Sequence, residues 1–219
     1  MKGKIVACCI YYCCLSPVFA QQTEAFGQGK KPKQIILFNG KNLKCWQGDM
    51  NVWYIENGAI TAGDTSITHL QNDFLATKKD YKNFTLKLKF KLEGGPGFVN
   101  AGVQVNSQRN RTAPLNEMVG FQADIGPGYT GSLYDETRRD VILAKADSSI
   151  VEKSLRKNDW NDYEIRCIGR RIVIILNGFQ TVDYTEPENS YPDFGKIGLQ
   201  IHGGTKMKIS FKDIILDQY

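Results

Sequence analysis

The stretch Phe84-Thr85-Leu86-Lys87-Leu88-Lys89-Phe90-Lys91-Leu92 decides the fold class. Its apolar side chains recur at every second position, and lysine fills most of the positions between them. Side chains of an extended strand alternate between two faces, so this is a half-buried strand with one core face and one lysine-rich outer face. Lysines on the outer face also discourage edge-to-edge association. The same period returns near the C-terminus, where Met207, Ile209 and Phe211 alternate with Lys206, Lys208 and Ser210.

Working outward, two Asn-Gly pairs sit between such runs. Asn57-Gly58 joins Trp53–Glu56 to Ala59–Ala62, and Asn177-Gly178 joins Arg171–Leu176 to Phe179–Tyr184. Both central residues of a type I′ turn need positive φ, which Asn and Gly tolerate best, so each pair predicts a hairpin. Only residues 144–158, AKADSSIVEKSLRKN, carry a weak helical pattern. Many strands joined by Gly, Asn and Pro turns over roughly 185 residues predict an all-β sandwich or barrel, not a βαβ fold.

The N-terminus sets the expected compartment. Lys2 and Lys4 precede an apolar run from Ile5 to Leu15, and Val18-Phe19-Ala20 ends in a small residue. This is the pattern of a signal peptide over residues 1–20, cleaved after Ala20, and it predicts an exported protein, periplasmic or extracellular. Ser16 and Pro17 interrupt a run already too short to span a bilayer, so no membrane span is expected after cleavage. Cleavage lowers the formal net charge from +5 to +3, because Lys2 and Lys4 leave with no acid. No basic stripe with interleaved aromatics is present, and nucleic acid is not an expected partner. Four of the six cysteines also leave, and the remaining Cys45 and Cys167 permit a disulfide without requiring one. No metal-ligand spacing of Cys and His occurs, and neither metal nor cofactor is expected. Residues 21–34, QQTEAFGQGKKPKQ, are polar and without period, a flexible lead-in to a single domain over 35–219.

Four segments break the lysine-out rule. Val103 and Val105 alternate with Gly102, Gln104 and Asn106; Phe121, Ala123 and Ile125 alternate with Gln122 and Asp124. Ser132, Tyr134 and Glu136 share one side of their segment, and Leu199 and Ile201 oppose Gln200 and His202. Each offers a core face and a second face of amides, carboxylates, a phenol or an imidazole. Such groups supply both donors and acceptors, which sugar hydroxyls require. Each residue taken singly is also compatible with an ordinary solvated position. Trp160 fits either the core or the rim of such a site. Arg138-Arg139 reads as a solvated pair or as donors to a substrate oxygen. His69 lies in a polar segment and is expected at the surface.

These residues carry a resemblance. GFQADIGPGYTGSLYDETRRD (120–140) resembles the 3-keto-disaccharide hydrolase family. So do ILFNGKNLKCW (36–46), NAGVQ (100–104), DWNDYEIRCIG (159–169), LNGFQTVDYTE (176–186) and GKIGLQIHGG (195–204), covering essentially 35–219. The resemblance implies a concanavalin-like jelly roll of two antiparallel sheets, export, and action on glycosides whose carbon 3 is a ketone. The chain departs from the family pattern at Gln122-Ala123-Asp124, where many members carry Glu-x-Gln. It departs again at Asn106, commonly Arg, and at Thr130, commonly aromatic.

The chemistry implied has a physical logic. A ketone at carbon 3 acidifies the proton on carbon 2, so a modest base can remove it; the enolate expels the aglycone and water adds to the enone. Such a site needs a base titrating near neutrality, donors for the enolate oxygen and an acid for the leaving oxygen. The expected catalytic groups are His202, Asp124 and Glu136, with Tyr134, Arg138 and Arg139 as donors. Gln104, Gln122, Gln200, Asn100 and Trp160 are the expected substrate contacts. Two other readings remain open: hydrolysis by Asp124 and Glu136 as a carboxylate pair, and a non-catalytic carbohydrate-binding module.

Overall fold

The structure, a computed structural model, describes residues 31–110, 117–189 and 191–219. The expected signal peptide and all of the lead-in before Lys31 lie outside the described residues. In chain order the first strands are β1 (Lys33–Ile36), β2 (Trp46–Gln47), β3 (Trp53–Glu56), β4 (Ala59–His69), β5 (Asp73–Thr77), β6 (Tyr81–Lys82), β7 (Phe84–Gly94) and β8 (Ala101–Arg109). They are followed by β9 (Met118–Ile125), β10 (Leu133–Glu136), β11 (Val141–Ala144) and the helix α1 (Ser148–Ser154). The last are β12 (Asn161–Ile168), β13 (Arg171–Leu176), β14 (Phe179–Thr185), β15 (Phe194–Ile201) and β16 (Thr205–Gln218).

These strands form two sheets. One has the order β14-β13-β12-β7-β16-β4-β3, with β1 also on β16; the other has the order β11-β10-β9-β8-β15-β5-β2, with β6 also on β15. The strand pairs are antiparallel. The fold is therefore an all-β sandwich. β1 begins two residues inside the expected lead-in, because β16 offers its backbone to Lys33 and Gln34 through Gln218 and Asp217.

The decisive stretch lies in β7, at the middle of the first sheet. Phe84, Leu86, Leu88 and Phe90 are buried there, while Lys87 is exposed and Lys89 and Lys91 are half-buried. They meet Val103, Val105, Phe121, Ala123, Leu199 and Ile201 of the second sheet in one continuous core. Alternation at period two thus supplies both inner faces of the sandwich. Both Asn-Gly pairs form the predicted turns with positive φ, 49° and 74° at Asn57-Gly58 and 49° and 85° at Asn177-Gly178. α1 occupies the middle of the segment with the helical pattern, and the Asp147 carboxylate accepts the Ser149 N–H at 2.8 Å as its N-cap. Trp53 is buried, and its ring N–H donates to Asp73 at 2.6 Å. Cys45 and Cys167 are both free. Among the described residues no helix is long and apolar enough to cross a membrane.

Candidate functional site

The four amide- and acid-rich segments are neighbouring strands of one sheet: β10, β9, β8 and β15 lie side by side. Register then fixes which outward side chains meet. Gly198, Gln104, Gln122 and Tyr134 form one row across β15, β8, β9 and β10. Gln200, Gly102 and Asp124 form the next. One step further along, the His202 N–H donates to the Asn100 carbonyl at 3.0 Å.

Gly102 has a role that alternation alone does not reveal. A Cβ there would lie 2.5 Å from the side-chain carbonyl carbon of Gln122. Its absence lets the Gln122 amide lie across the gap between Gln200 and Asp124. From there Gln122 Nε2 donates to Asp124 Oδ1 and to Gln200 Oε1, both at 2.9 Å. Gln104 Nε2 donates in turn to Gln122 Oε1 at 3.0 Å. The three glutamines and Asp124 are buried, and Gln200 Nε2 has no partner among the described residues. A glycine inside a strand was the sequence signal for such a close approach.

Burial is the main force on the acids. It pushes Asp124 up to about 7, while hydrogen bonds from Gln122 and Asn100 hold it back. Glu136 also rises to about 7, first through burial and then through the negative charge of Asp124. Tyr134 is raised by burial, with Asp140, Glu136 and Asp124 adding to it. The charge of Asp124 therefore acts on both Glu136 and Tyr134. Tyr134, Glu136 and His202 are half-buried and Asp124 lies deeper. The His202 ring stands edge-on to Phe98 with centroids 4.8 Å apart, and Phe98 stands edge-on to Tyr129 at 5.7 Å. His202 Nδ1 is 2.7 Å from the Gly203 carbonyl, so Nδ1 carries the proton there and Nε2 is the basic nitrogen.

Three expected contacts lie elsewhere. Arg138 and Arg139 do not join the polar face. Both turn back to Asp135, which points to the side opposite Tyr134 and Glu136; Arg138 Nε donates to it at 2.8 Å, and Arg139 pairs with it and with Glu186. Asp135 and Glu186 are buried and acceptor-only, so they claim both guanidinium groups. Arg138 also stacks on Tyr191, 3.8 Å from the ring centre. Trp160 lies on the other sheet, where Lys212 of β16 approaches its ring centre to 4.0 Å and Lys91 of β7 to 6.0 Å. His69 is half-buried instead of at the surface, and burial lowers its pKa despite the nearby Asp73. Asn106 sits in an irregular step of β8 with φ 49°, its side-chain oxygen buried and unpartnered.

A cavity of about 450 Å³ opens beside α1, between β7 and the loop that follows β9. Phe90, Leu92, Val99, Ile125, Val151 and Leu155 give it an apolar lining. None of His202, Asp124, Glu136 or Tyr134 lines it.

A lectin-like β-sandwich with acids and amides on one sheet face defines a carbohydrate-directed class. The chain belongs to the 3-keto-alpha-glucoside-1,2-lyase-like domain family, whose profile matches residues 33–217. No curated protein matches the chain. Among solved structures it is similar to a candidate glycosyl hydrolase from Parabacteroides distasonis ATCC 8503, with TM-score 0.61 and 23% identity over 85% of this chain and 100% of that one. It is also similar to a carbohydrate binding module from Bacillus subtilis, with TM-score 0.60 and 12% identity over 80% of this chain and 96% of that one. Lectin I-B4 from Griffonia simplicifolia aligns with TM-score 0.50 and 14% identity, over 80% and 92% of the two chains. These structures share the concanavalin-like jelly roll.

Proposed function

We propose that this protein cleaves glycosides whose carbon 3 is a ketone. The observation that carries the reading is a pair of acids, Asp124 and Glu136, held near pH 7 on one polar face beside half-buried His202 and Tyr134. Groups titrating at the working pH can both take and return a proton. His202 Nε2 removes the proton from carbon 2, and the electrons of that bond form the enolate. The oxygen on carbon 3 meets Gln200 Nε2, unpartnered among the described residues, as its donor. The enolate collapses, the bond from carbon 1 to the aglycone oxygen breaks, and Asp124, one outward position along the strands from the His202 row, protonates the departing oxygen. Water then adds to the enone and gives the 3-keto sugar.

Register also weighs against a directly paired carboxylate mechanism. Tyr134 is opposite Gln122 and Glu136 is opposite Gly120, so Asp124 and Glu136 are offset by four residues along the strands. That is roughly 13 Å of backbone, well beyond the ~5 Å carboxyl separation of a retaining pair unless both side chains lean together.

The test uses a 3-keto-glucoside with a chromogenic aglycone. Aglycone release above buffer is expected, with a bell-shaped pH profile centred near 7. His202→Asn is expected to lose at least ~100-fold in turnover with its circular dichroism unchanged. Absence of turnover across several 3-keto sugars would sink the reading. The similarity to a carbohydrate binding module favours one alternative, binding without chemistry. Glycan-array binding that survives Asp124→Ala, Glu136→Ala and His202→Ala, with no turnover by the wild type, would establish that instead. We further propose that the protein acts in the periplasm or outside the cell; a mature N-terminus at Gln21 is the expected result of N-terminal sequencing.

A further inference from the structure

Asp124 and Gln200 do not stand alone on the polar face. They end a chain of buried side chains that begins at Ser107, a residue with no place in the reaction above. We propose that Ser107 is a positioning residue: it anchors a one-way chain of hydrogen bonds through Gln104 and Gln122 that fixes how Asp124 and Gln200 are presented to a ligand. The inference rests on reading this face as the site, and not on any particular reaction there.

The polarity of the chain follows from its ends. An ionised carboxylate only accepts hydrogen bonds, so Gln122 must turn Nε2 toward Asp124, as it does at 2.9 Å. That leaves Gln122 Oε1 facing Gln104, which must donate, and Gln104 Nε2 does so at 3.0 Å. Gln104 Oε1 is then left facing Ser107, whose hydroxyl donates to it at 2.5 Å. Two main-chain carbonyls compete for the same proton, Val105 at 2.9 Å and Phe121 at 3.4 Å, but the amide oxygen is the nearest. Each amide has one possible orientation once Asp124 is charged, and the hydroxyl closes the sequence.

The backbone is shaped for this serine. The register of β8 against β9 slips between Val105 and Gln108, and the slip turns Ser107 back toward Gln104. Glycines flank it on both neighbouring strands. A Cβ at Gly120 would lie 2.3 Å from Ser107 Oγ, and one at Gly195 would lie 2.6 Å from the Ser107 carbonyl. Neither glycine can carry a side chain while Ser107 keeps this place.

Gln200 receives the second consequence. Its Oε1 accepts from Gln122 Nε2 at 2.9 Å, so its own amide nitrogen is turned away and stays without a partner although buried. An orphaned buried donor is costly unless a ligand acceptor meets it. The chain thus sets an acceptor at Asp124 and a donor at Gln200, and the two match a ligand that offers a hydroxyl to one and an acceptor oxygen to the other. Gln104 and Gln122 have both polar atoms engaged within the chain, and they serve to position Gln200 and Asp124.

The test reads Asp124 directly, by ¹³C NMR titration of its assigned side-chain carboxyl in the ligand-free protein. The titratable groups whose charge acts with that of Asp124 are Glu136 and Tyr134 from β10 and Tyr163 from β12, and none of them is a link in the chain. Ser107→Ala removes the anchoring donor, weakens the pull of Gln122 on the carboxylate and is expected to raise the Asp124 midpoint by about half a unit, roughly threefold in its protonation constant. Gln104→Met cuts the same chain and is expected to raise it at least as far. The double variant is expected to show no further shift, because both changes break one path. An Asp124 midpoint unmoved in folded Ser107→Ala and Gln104→Met, or independent shifts that add, overturns the proposal. If Ser107→Ala fails to fold, Gln104→Met decides alone in the same way. The titration involves no sugar, so its outcome is separate from whether any glycoside is cleaved.

Discussion

Asp124→Asn removes a charge that the folded state tolerates poorly. Burial raises this carboxyl from 3.8 to about 7. A carboxylate with a raised folded pKa contributes stability that is complete below the unfolded value and lost as pH rises through the folded one. The window is therefore about pH 4 to 7. A shift of ~3 units corresponds to about 4 kcal/mol at pH above the folded value, an upper figure because local relaxation softens it. Asparagine keeps the shape and an oxygen to accept from Gln122, with no charge to bury. It also removes the negative charge that helps to raise Glu136. The variant is expected to be more stable than the wild type by about 2–4 kcal/mol at pH 8.5, with the two converging near pH 4. Urea unfolding at both pH values, with the slope of the transition checked for constancy, measures it. A variant destabilised equally at both pH values would show Asp124 to be a structural anchor and would remove the basis for its acid/base role.

Gly102→Ala drives a methyl group against Gln122 without touching the core, and turnover is expected to fall at least ~10-fold while the fold remains by circular dichroism. Unchanged turnover would detach the amide floor from function. Asp135→Asn leaves Arg138 and Arg139 with a poorer partner in a buried setting and is expected to cost about 3–5 kcal/mol in urea unfolding; a loss under ~1 kcal/mol would mean that Glu186 and Tyr191 hold the pair without it. Trp160→Ala, on the opposite sheet, is expected to leave KM and kcat unchanged, and a raised KM would return Trp160 to the site.

Parity was legible in the sequence and sheet membership was not. Alternation tells which side of its own strand a residue takes, and this placed Gln104, Gln122, Asp124, Tyr134, Glu136, Gln200 and His202 on the faces where they stand. It holds only while the strand stays regular. Beyond Glu136 the chain turns through Thr137 and Asp140, both with positive φ, and the Asp140 carboxylate accepts the Thr137 N–H at 2.8 Å. That turn begins one position after the strand ends and returns Arg138 and Arg139 to Asp135, on the side opposite Tyr134 and Glu136. Trp160 fails for a different reason. It stands immediately before β12, whose pairing with β7, far away in the chain, no local pattern encodes. Ser107 lies within a slip in register, where counting by twos no longer says which way a side chain faces. The polar face was thus readable where its strands are regular, and the residues that organise it, Gly102 and Ser107, stand where a missing Cβ or a bulge breaks the rule. Chemistry-bearing side chains can be found by alternation, whereas the irregularities that hold them in place become visible only once the neighbouring strands are known.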